Sequence, residues 1–338
     1  MKIKNEIKKL ENEPRLLIEV PLKPVQGTRF QPTGFPDLGA ATYQLNDNTQ
    51  MLIVESAQSM ANRLEGVCWD NQDVVPVLKG IPYIKVVDIN NQFLTSSIIE
   101  SHRINSPYIL ESDDKTFYDK FKKEVGAMDF GPIDIEKFTR ALFKYDINSL
   151  IHGVFISKSD LAGGRLRLSR ALSSFVEARN VTEAHSGGVK LDHVNPGGKV
   201  NDVKGSKEGF GHIPFPRDEF TGDITAYFNL DLAQIRGYGF NTDVNDLLIA
   251  LSLYKIQKLL KDGLKFRTSC DLTNSTPIVK KPNDFTLPSL DSDFERELKD
   301  MIGKVKDYFS EPPVTTVIYK KSKTKKEEAN KEQKIPDE

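Results

Sequence analysis

Four stretches of this chain place hydrogen-bond donors beside glycines or aromatic rings, a chemistry suited to gripping a phosphodiester strand. In VQGTRFQPTGFPDLG, residues 25–39, Gln26, Thr28, Arg29 and Gln31 flank Phe30 and Phe35, with Gly27 and Gly34 among them. Such a loop brings backbone N–H groups close to phosphates while its rings receive unstacked bases, at about 1–3 kcal/mol per base. A second set, Ser56, Ser59, Asn62 and Arg63, falls on one edge of a helix predicted through about Glu65. The opposite face of that helix holds Ala57, Met60, Ala61 and Leu64 at i, i+3, i+4 and i+7. A third set, in ESHRINSPYI, supplies His102, Arg103, Asn105 and Ser106. The fourth lies in RLRLSRALSSFVEAR, where a helix predicted from Arg165 carries Arg167, Arg170, Ser173 and Ser174 away from a stripe of Leu168, Ala171, Leu172, Phe175 and Val176.

Arg29, Arg63, Arg103, Arg167 and Arg170 are the candidate phosphate contacts, with the amides and hydroxyls as secondary donors. Because each predicted helix has a separate apolar stripe, Arg63 and Arg170 are expected to be dispensable for folding. The bland alternative for each set is a solvated helix face or a capped loop.

Other chemistry is missing from the sequence. No Gly-rich loop ends in Gly-Lys-Ser/Thr, no G-x-G-x-x-G follows a strand, and no G-x-S-x-G elbow occurs. The five histidines are scattered, and His185 and His193 lack cysteines at zinc spacing. No metal and no cofactor is expected. A metal-dependent nuclease would need a loop carboxylate near the scissile phosphate, and Asp37 is the candidate for that alternative.

Composition narrows the class further. With 38% hydrophobic and 28% charged residues, the 338-residue chain reads as a globular protein with ample material for a core. No apolar run approaches the roughly 20 residues of a membrane span, so no membrane partner is expected. Two cysteines, Cys68 and Cys270, argue against a disulfide framework and for the cytoplasm. The net charge of −1 is unusual for a nucleic-acid binder, but its distribution is uneven. Residues 161–210 hold eight Lys or Arg against five Asp or Glu; residues 217–246 hold two against six. Separate basic and acidic surfaces suit a protein that holds a polyanion and stacks head-to-tail on its own copies.

Strands are predicted at 15–20, 147–156 and 224–230, strands or short buried segments at 82–87 and 93–99, an apolar run at 51–54 that passes into the helix ending near Glu65, and further helices at 117–125, 135–145, 244–260 and 290–308. This pattern gives an α+β class with an open sheet. Residues 186–211 carry seven glycines and read as a long loop or projecting hairpin. Residues 1–14 read as a short charged arm or helical turn ahead of Pro14, and the Lys- and Glu-rich tail, 319–338, reads as disordered. Truncation at Val317 is therefore expected to be harmless.

The string PVQGTRFQPTGFPDLGAATYQ, followed by LIVESAQSMANRLEGVCWD, resembles the Csb family, the Cascade backbone subunit of type I-G (formerly I-U) CRISPR systems and a member of the RAMP superfamily. TSSIIESHRINSPYIL, GGRLRLSRALSSFVEA and GGVKLDHV resemble further blocks of that family, and the likeness runs from about residue 20 to about residue 275. The resemblance implies an RRM-like (ferredoxin-like) palm with helical insertions and a projecting thumb hairpin. One domain over 15–318 is expected, with a helical insertion at about 105–146 and a thumb candidate at 186–211. It also implies a guide-RNA-binding subunit that polymerises along CRISPR RNA beside other Cascade subunits and leaves the guide free to pair with target DNA. No RRM-type aromatic string is evident on a strand, so loops and helix ends are the expected contacts. Since RAMP relatives include ribonucleases that cut guide or target RNA, an enzyme is the rival reading.

Overall fold

Alternation of buried and exposed side chains builds the main sheet. In β1 (Arg15–Pro24), Leu16, Ile18, Val20 and Leu22 face inward while Leu17, Glu19 and Pro21 face out. The structure, a computed structural model, describes residues 2–35, 39–126, 131–196 and 211–320. Its eight-stranded antiparallel sheet adds β2 (Thr42–Gln44), β3 (Gln50–Glu55), β8 (Leu172–Lys190), β9 (Ile213–Asp231), β10 (Leu264–Arg267), β11 (Cys270–Asn274) and β12 (Ile278–Lys281). The order is β10-β11-β1-β9-β8-β3-β2, with β12 also paired to β1. Mixed α+β architecture is what the sequence pattern predicts.

Outside that sheet, β4 (Tyr83–Val87) pairs with β5 (Phe93–Ser96) and, in parallel, with the C-terminal β13 (Val314–Ile318). A small ribbon joins β6 (Val154–Ile156) to β7 (Leu166–Leu168). The helices are α1 (Lys2–Lys8), α2 (Ala57–Gly66), α3 (Pro107–Leu110), α4 (Thr116–Val125), α5 (Ile135–Tyr145), α6 (Ile147–His152), α7 (Leu232–Arg236), α8 (Thr242–Asp262) and α9 (Ser292–Lys304). Helix α8 begins where Asn241 accepts the Val244 N–H at 3.0 Å and ends at Gly263, whose φ of 92° suits a residue without Cβ. It is apolar on most of its surface and is enclosed by α1, α2, α7 and α9.

The central hairpin changes character along its length. From Leu172 to Arg179, β8 pairs with β9, and from Val176 to Arg179 also with β3; Leu172, Ser174, Val176 and Ala178 are buried. The register then slips between Arg179 and Thr182, where Asn180 takes a left-handed φ of 55° and a Cβ on Gly222 would meet Arg179 O at 2.9 Å. Beyond the bulge, β8 and β9 pair with each other up to Lys190 and Ile213, apart from one bridge between Phe220 and Phe30. Of the Gly-rich stretch 186–211, residues 197–210 lie outside the described residues.

Several sequence expectations need correction. Residues 165–179 are strands, not a helix: Leu172 and Val176 fit an i, i+4 stripe, but they also fit alternation, and pairing with residues 224–230 and 51–55 selects the strand. Residues 147–152 form α6 rather than a strand. The folded unit begins before residue 15, because Ile3, Ile7 and Leu10 are buried and the Ile3 N–H donates to Glu297 Oε2 at 3.0 Å. It also extends past residue 318, since Ser112 Oγ donates to Ile318 O and the Asp113 N–H to Lys320 O, at 2.9 and 2.7 Å. Cutting at Val317 would therefore damage β13. The remainder of the tail, 321–338, lies outside the described residues.

Candidate nucleic-acid interface

The loop after β1 forms one wall of an open cleft of about 370 Å³, lined by residues 24–29, Glu219, Thr268, Ser269 and Asp271. Gly27, at φ 71°, turns the chain there, and Gln26, Thr28 and Arg29 are exposed. Backbone bonds strap the loop to the β10–β11 turn: Val25 N–H to Asp271 O at 2.9 Å and Gln31 N–H to Ser269 O at 2.7 Å. Arg29 Nη1 meets Glu219 Oε2 at 2.9 Å, and Arg217 Nη1 donates to Ser269 Oγ at 3.0 Å. Phe30 does not offer its ring to a base. It is 1% exposed, and burial of such a side chain contributes about 1.5–3 kcal/mol to the fold. The side chain of Phe35, and Asp37 altogether, lie outside the described residues.

Helix α2 starts beside this loop, because Thr33 N–H and Oγ1 both donate to Val54 O. Ser56 caps the helix by accepting the Ser59 N–H at 3.3 Å, so its hydroxyl has a structural task. Asn62 is exposed and Ser59 half-buried. Gln58, one turn before Asn62 and also exposed, is a donor the sequence reading missed; its i, i+4 spacing from Asn62 was the available signal. Arg63 is a clamp instead of a free cation. It donates to Lys265 O and Phe266 O at 3.3 and 3.1 Å, covers the Phe266 ring, and holds Nε 3.5 Å from Glu55. The Glu55 carboxylate is fully buried and accepts no hydrogen bond, so Arg63 supplies its compensating charge. The expectation that Arg63 is dispensable for folding is thereby corrected.

At the other end of α2 the third donor set turns inward. Arg103 is buried and grips Glu65 with two bonds, Nε–Oε1 at 2.5 Å and Nη2–Oε2 at 2.8 Å, while Nη1 donates to Gly153 O at 3.1 Å. Glu65 Oε1 also accepts from Asn148 Nδ2 at 2.5 Å; Asn148 Oδ1 in turn accepts from Lys255 Nζ, which lies 2.9 Å from His152 Nε2. Burial pushes Glu65 up against the opposing pull of Arg103, and it pushes Lys255 down and His152 well below its ordinary value. This hub answers its charges internally, so Arg103 is removed from the phosphate contacts. Ser106 is likewise buried and donates to Glu100 Oε2 at 2.8 Å. His102 remains exposed and Asn105 half-buried.

The fourth set divides between two strands. Arg165 is exposed but donates to Ala162 O and Gly131 O, both at 3.0 Å. Arg167, on β7, is exposed and makes no hydrogen bond or ion pair among the described residues. Arg170 is half-buried, with its Nε buried and unpartnered; burial and then Arg103 push its pKa down. Ser173 sits half-exposed on the sheet face turned from α2, beside Phe175, which stacks on its cross-strand partner Tyr227 at 5.0 Å. That places Phe175 outside the buried stripe predicted for it.

All four donor sets fall in one stretch that resembles a known family. Residues 16–183 match the family described as CRISPR-associated protein GSU0053. The matched segment takes in the 25–31 loop, α2, Arg103 and Glu65 of the hub and the β6–β7 ribbon, while β9, β10 and β11 follow it. No curated protein matches the chain. Among solved structures, a chain of "CRISPR RNA-guided surveillance complex, pre-nicking" aligns with 12% identity over 87% of this chain and 89% of its own, at a TM-score of 0.38. Csc2 of Thermofilum pendens aligns with 9% identity over 90% and 81%, at 0.31. Both scores are too low to equate the folds.

Among the described residues no group of three or more His, Cys, Asp or Glu is placed to hold a metal ion, and no helix is long and apolar enough to cross a membrane.

Proposed function

We propose that this chain is the repeated backbone subunit that coats the guide RNA in a type I-G (formerly I-U) CRISPR Cascade complex. The observation that supports this most is the CRISPR-associated match over 16–183, which contains all four donor sets. Besides His102 and the carbonyl-bound Arg165, the exposed members are Gln26, Thr28, Arg29, Asn62 and Arg167, with Gln58 beside them. They are amides, a hydroxyl and guanidiniums, groups that bind phosphate and ribose oxygens without reading bases. A carrier of variable guides needs that indifference to sequence.

In this reading the main sheet is the RRM-like palm and the β8–β9 hairpin beyond its bulge is the thumb. Copies stack head-to-tail along the guide in the cytoplasm. The subunit has no catalytic role; other Cascade proteins cap the filament, and target DNA pairs with the exposed guide bases.

Light scattering of the purified chain with and without a guide-length RNA at moderate salt tests this. A discrete assembly should form with RNA, and labelled RNA should stay intact with and without divalent metal. An unchanged monomer in both conditions contradicts the reading. RNA cleavage that is lost in Asp37→Ala would replace it with the ribonuclease.

A further inference from the structure

The β6–β7 ribbon presents the most exposed aromatic ring among the described residues. Phe155 is 56% exposed and stacks on no other ring there, whereas Phe175, the next most exposed phenylalanine, is covered in part by Tyr227. Its cross-strand partner is Arg167, the exposed guanidinium without a partner. Directly opposed residues on a strand pair project to the same side, so ring and guanidinium form one surface. The charge around them is mostly positive. Residues 154–176 contain Lys158, Arg165, Arg167 and Arg170 against one acid, Asp160, and Ser157, Ser159 and Ser169 add hydroxyls. Lys158 is paired with Glu111 at 2.6 Å and Arg165 with carbonyls, which leaves Arg167 as the available cation.

The ribbon is also held firmly. Gly153, at φ 76°, leads into β6, and a Cβ there would meet Leu168 O at 2.7 Å and the Arg170 nitrogen at 2.9 Å. Its carbonyl accepts Arg103 Nη1, which ties the ribbon to the buried hub. A preorganised ring loses little entropy when a base stacks on it.

We propose that the β6–β7 ribbon seats one unpaired nucleotide, its base on the Phe155 ring and its phosphate on the Arg167 guanidinium. The ligand is a single-stranded polynucleotide, because a duplex keeps its bases stacked and offers no free face. An apolar protein partner would bury the Arg167 guanidinium without a counter-charge, which makes it the poorer fit. The seat rests on the reading of the chain as a guide-RNA carrier and adds a stacking contact to it.

The chain's only tryptophan is Trp69, so Phe155→Trp installs a reporter whose signal is read against wild type. The probes are a guide-length single-stranded RNA, a single-stranded DNA of the same sequence, and the RNA duplex. Single strands should quench the added fluorescence and the duplex should not. Quenching by RNA alone assigns the seat to the guide, and quenching by both assigns it to any unpaired strand. Phe155→Ala should weaken single-strand binding by about tenfold. Arg167→Ala should lower the slope of log affinity against log salt by about one. If wild type binds RNA, Phe155→Trp is not quenched and both alanine variants bind as wild type, the seat is wrong and the carrier reading stands. If wild type binds no RNA, the carrier reading itself fails. Phe155→Ala altering self-association without nucleic acid would make the ribbon a protein contact and overturn the seat. Equal quenching by the duplex would also overturn it.

Discussion

The hub around Glu65 and the rim around Arg29 and Arg167 are built from the same residue types, yet they do opposite work. In the hub, Arg103, Asn148 and Lys255 aim their donors at one another and at Glu65, with almost no exposure to water. On the rim, Gln26, Gln58, Asn62 and Arg167 face solvent. Arg29 lies between these extremes, bonded to Glu219 but with more than half of its side chain exposed. A buried ion pair is most costly when half of it is removed, whereas an exposed donor changes stability by only tenths of a kcal/mol. Substitutions at the hub should therefore unfold the protein, and substitutions at the rim should leave it folded but deprive it of RNA.

The largest expected effect is at Arg103. Its replacement by Ala strands the Glu65 carboxylate and should lower unfolding free energy in urea by about 3–5 kcal/mol. Normal stability with lost RNA binding would erase the distinction between hub and rim. Asp146, buried next to this hub, follows at about 3 kcal/mol. Burial raises its pKa from 3.8 to about 6, against a hydrogen bond from Ser149. The folded state thus holds that proton more tightly than the unfolded chain. This contribution is complete below about pH 4 and is lost as pH rises through about 6. Asp146→Asn should flatten that interval and gain on wild type between pH 4 and 7, measured by urea unfolding at each pH.

Arg63 sharpens the boundary, since it belongs to both regions by position. Arg63→Ala leaves Glu55 without its cation and should cost about 1–3 kcal/mol, less than Arg103 because the Arg63 side chain is partly exposed. Thermal melting equal to wild type would return Arg63 to the rim. Gln58→Ala with Asn62→Ala should change stability by less than about 0.5 kcal/mol and weaken RNA binding several-fold, read by salt titration. The smallest effect is expected from truncation after Lys320, which keeps β13 and the bonds from Ser112 and Asp113. Melting should not move, whereas truncation before Val314 should lower it.

Helix α2 was legible in the sequence because its signal is local, an apolar stripe through Met60, Ala61 and Leu64, although Ser56, read as a donor, is its cap. The class of the fold was legible for the same reason. Residues 165–179 were not, since their pattern satisfies both periods and the decision comes from strands far away in sequence. Arg103 could not be told from Arg167, because each is an arginine beside small polar residues and burial is a tertiary property. Phe155 escaped for the complementary reason. An apolar residue in a strand reads as core until the partner strand shows that its side faces water. Ser269 and Glu219, which complete the cleft wall, lie too far along the chain for spacing to join them to the 25–31 loop.

A reconstruction of the assembled chain on its guide RNA tests the central claim most directly. The RNA should run against Gln26–Arg29, the exposed edge of α2 at Gln58 and Asn62, and the ribbon at Arg167, with Arg103 still bonded to Glu65. RNA ordered on another surface, with those residues facing solvent, would contradict it.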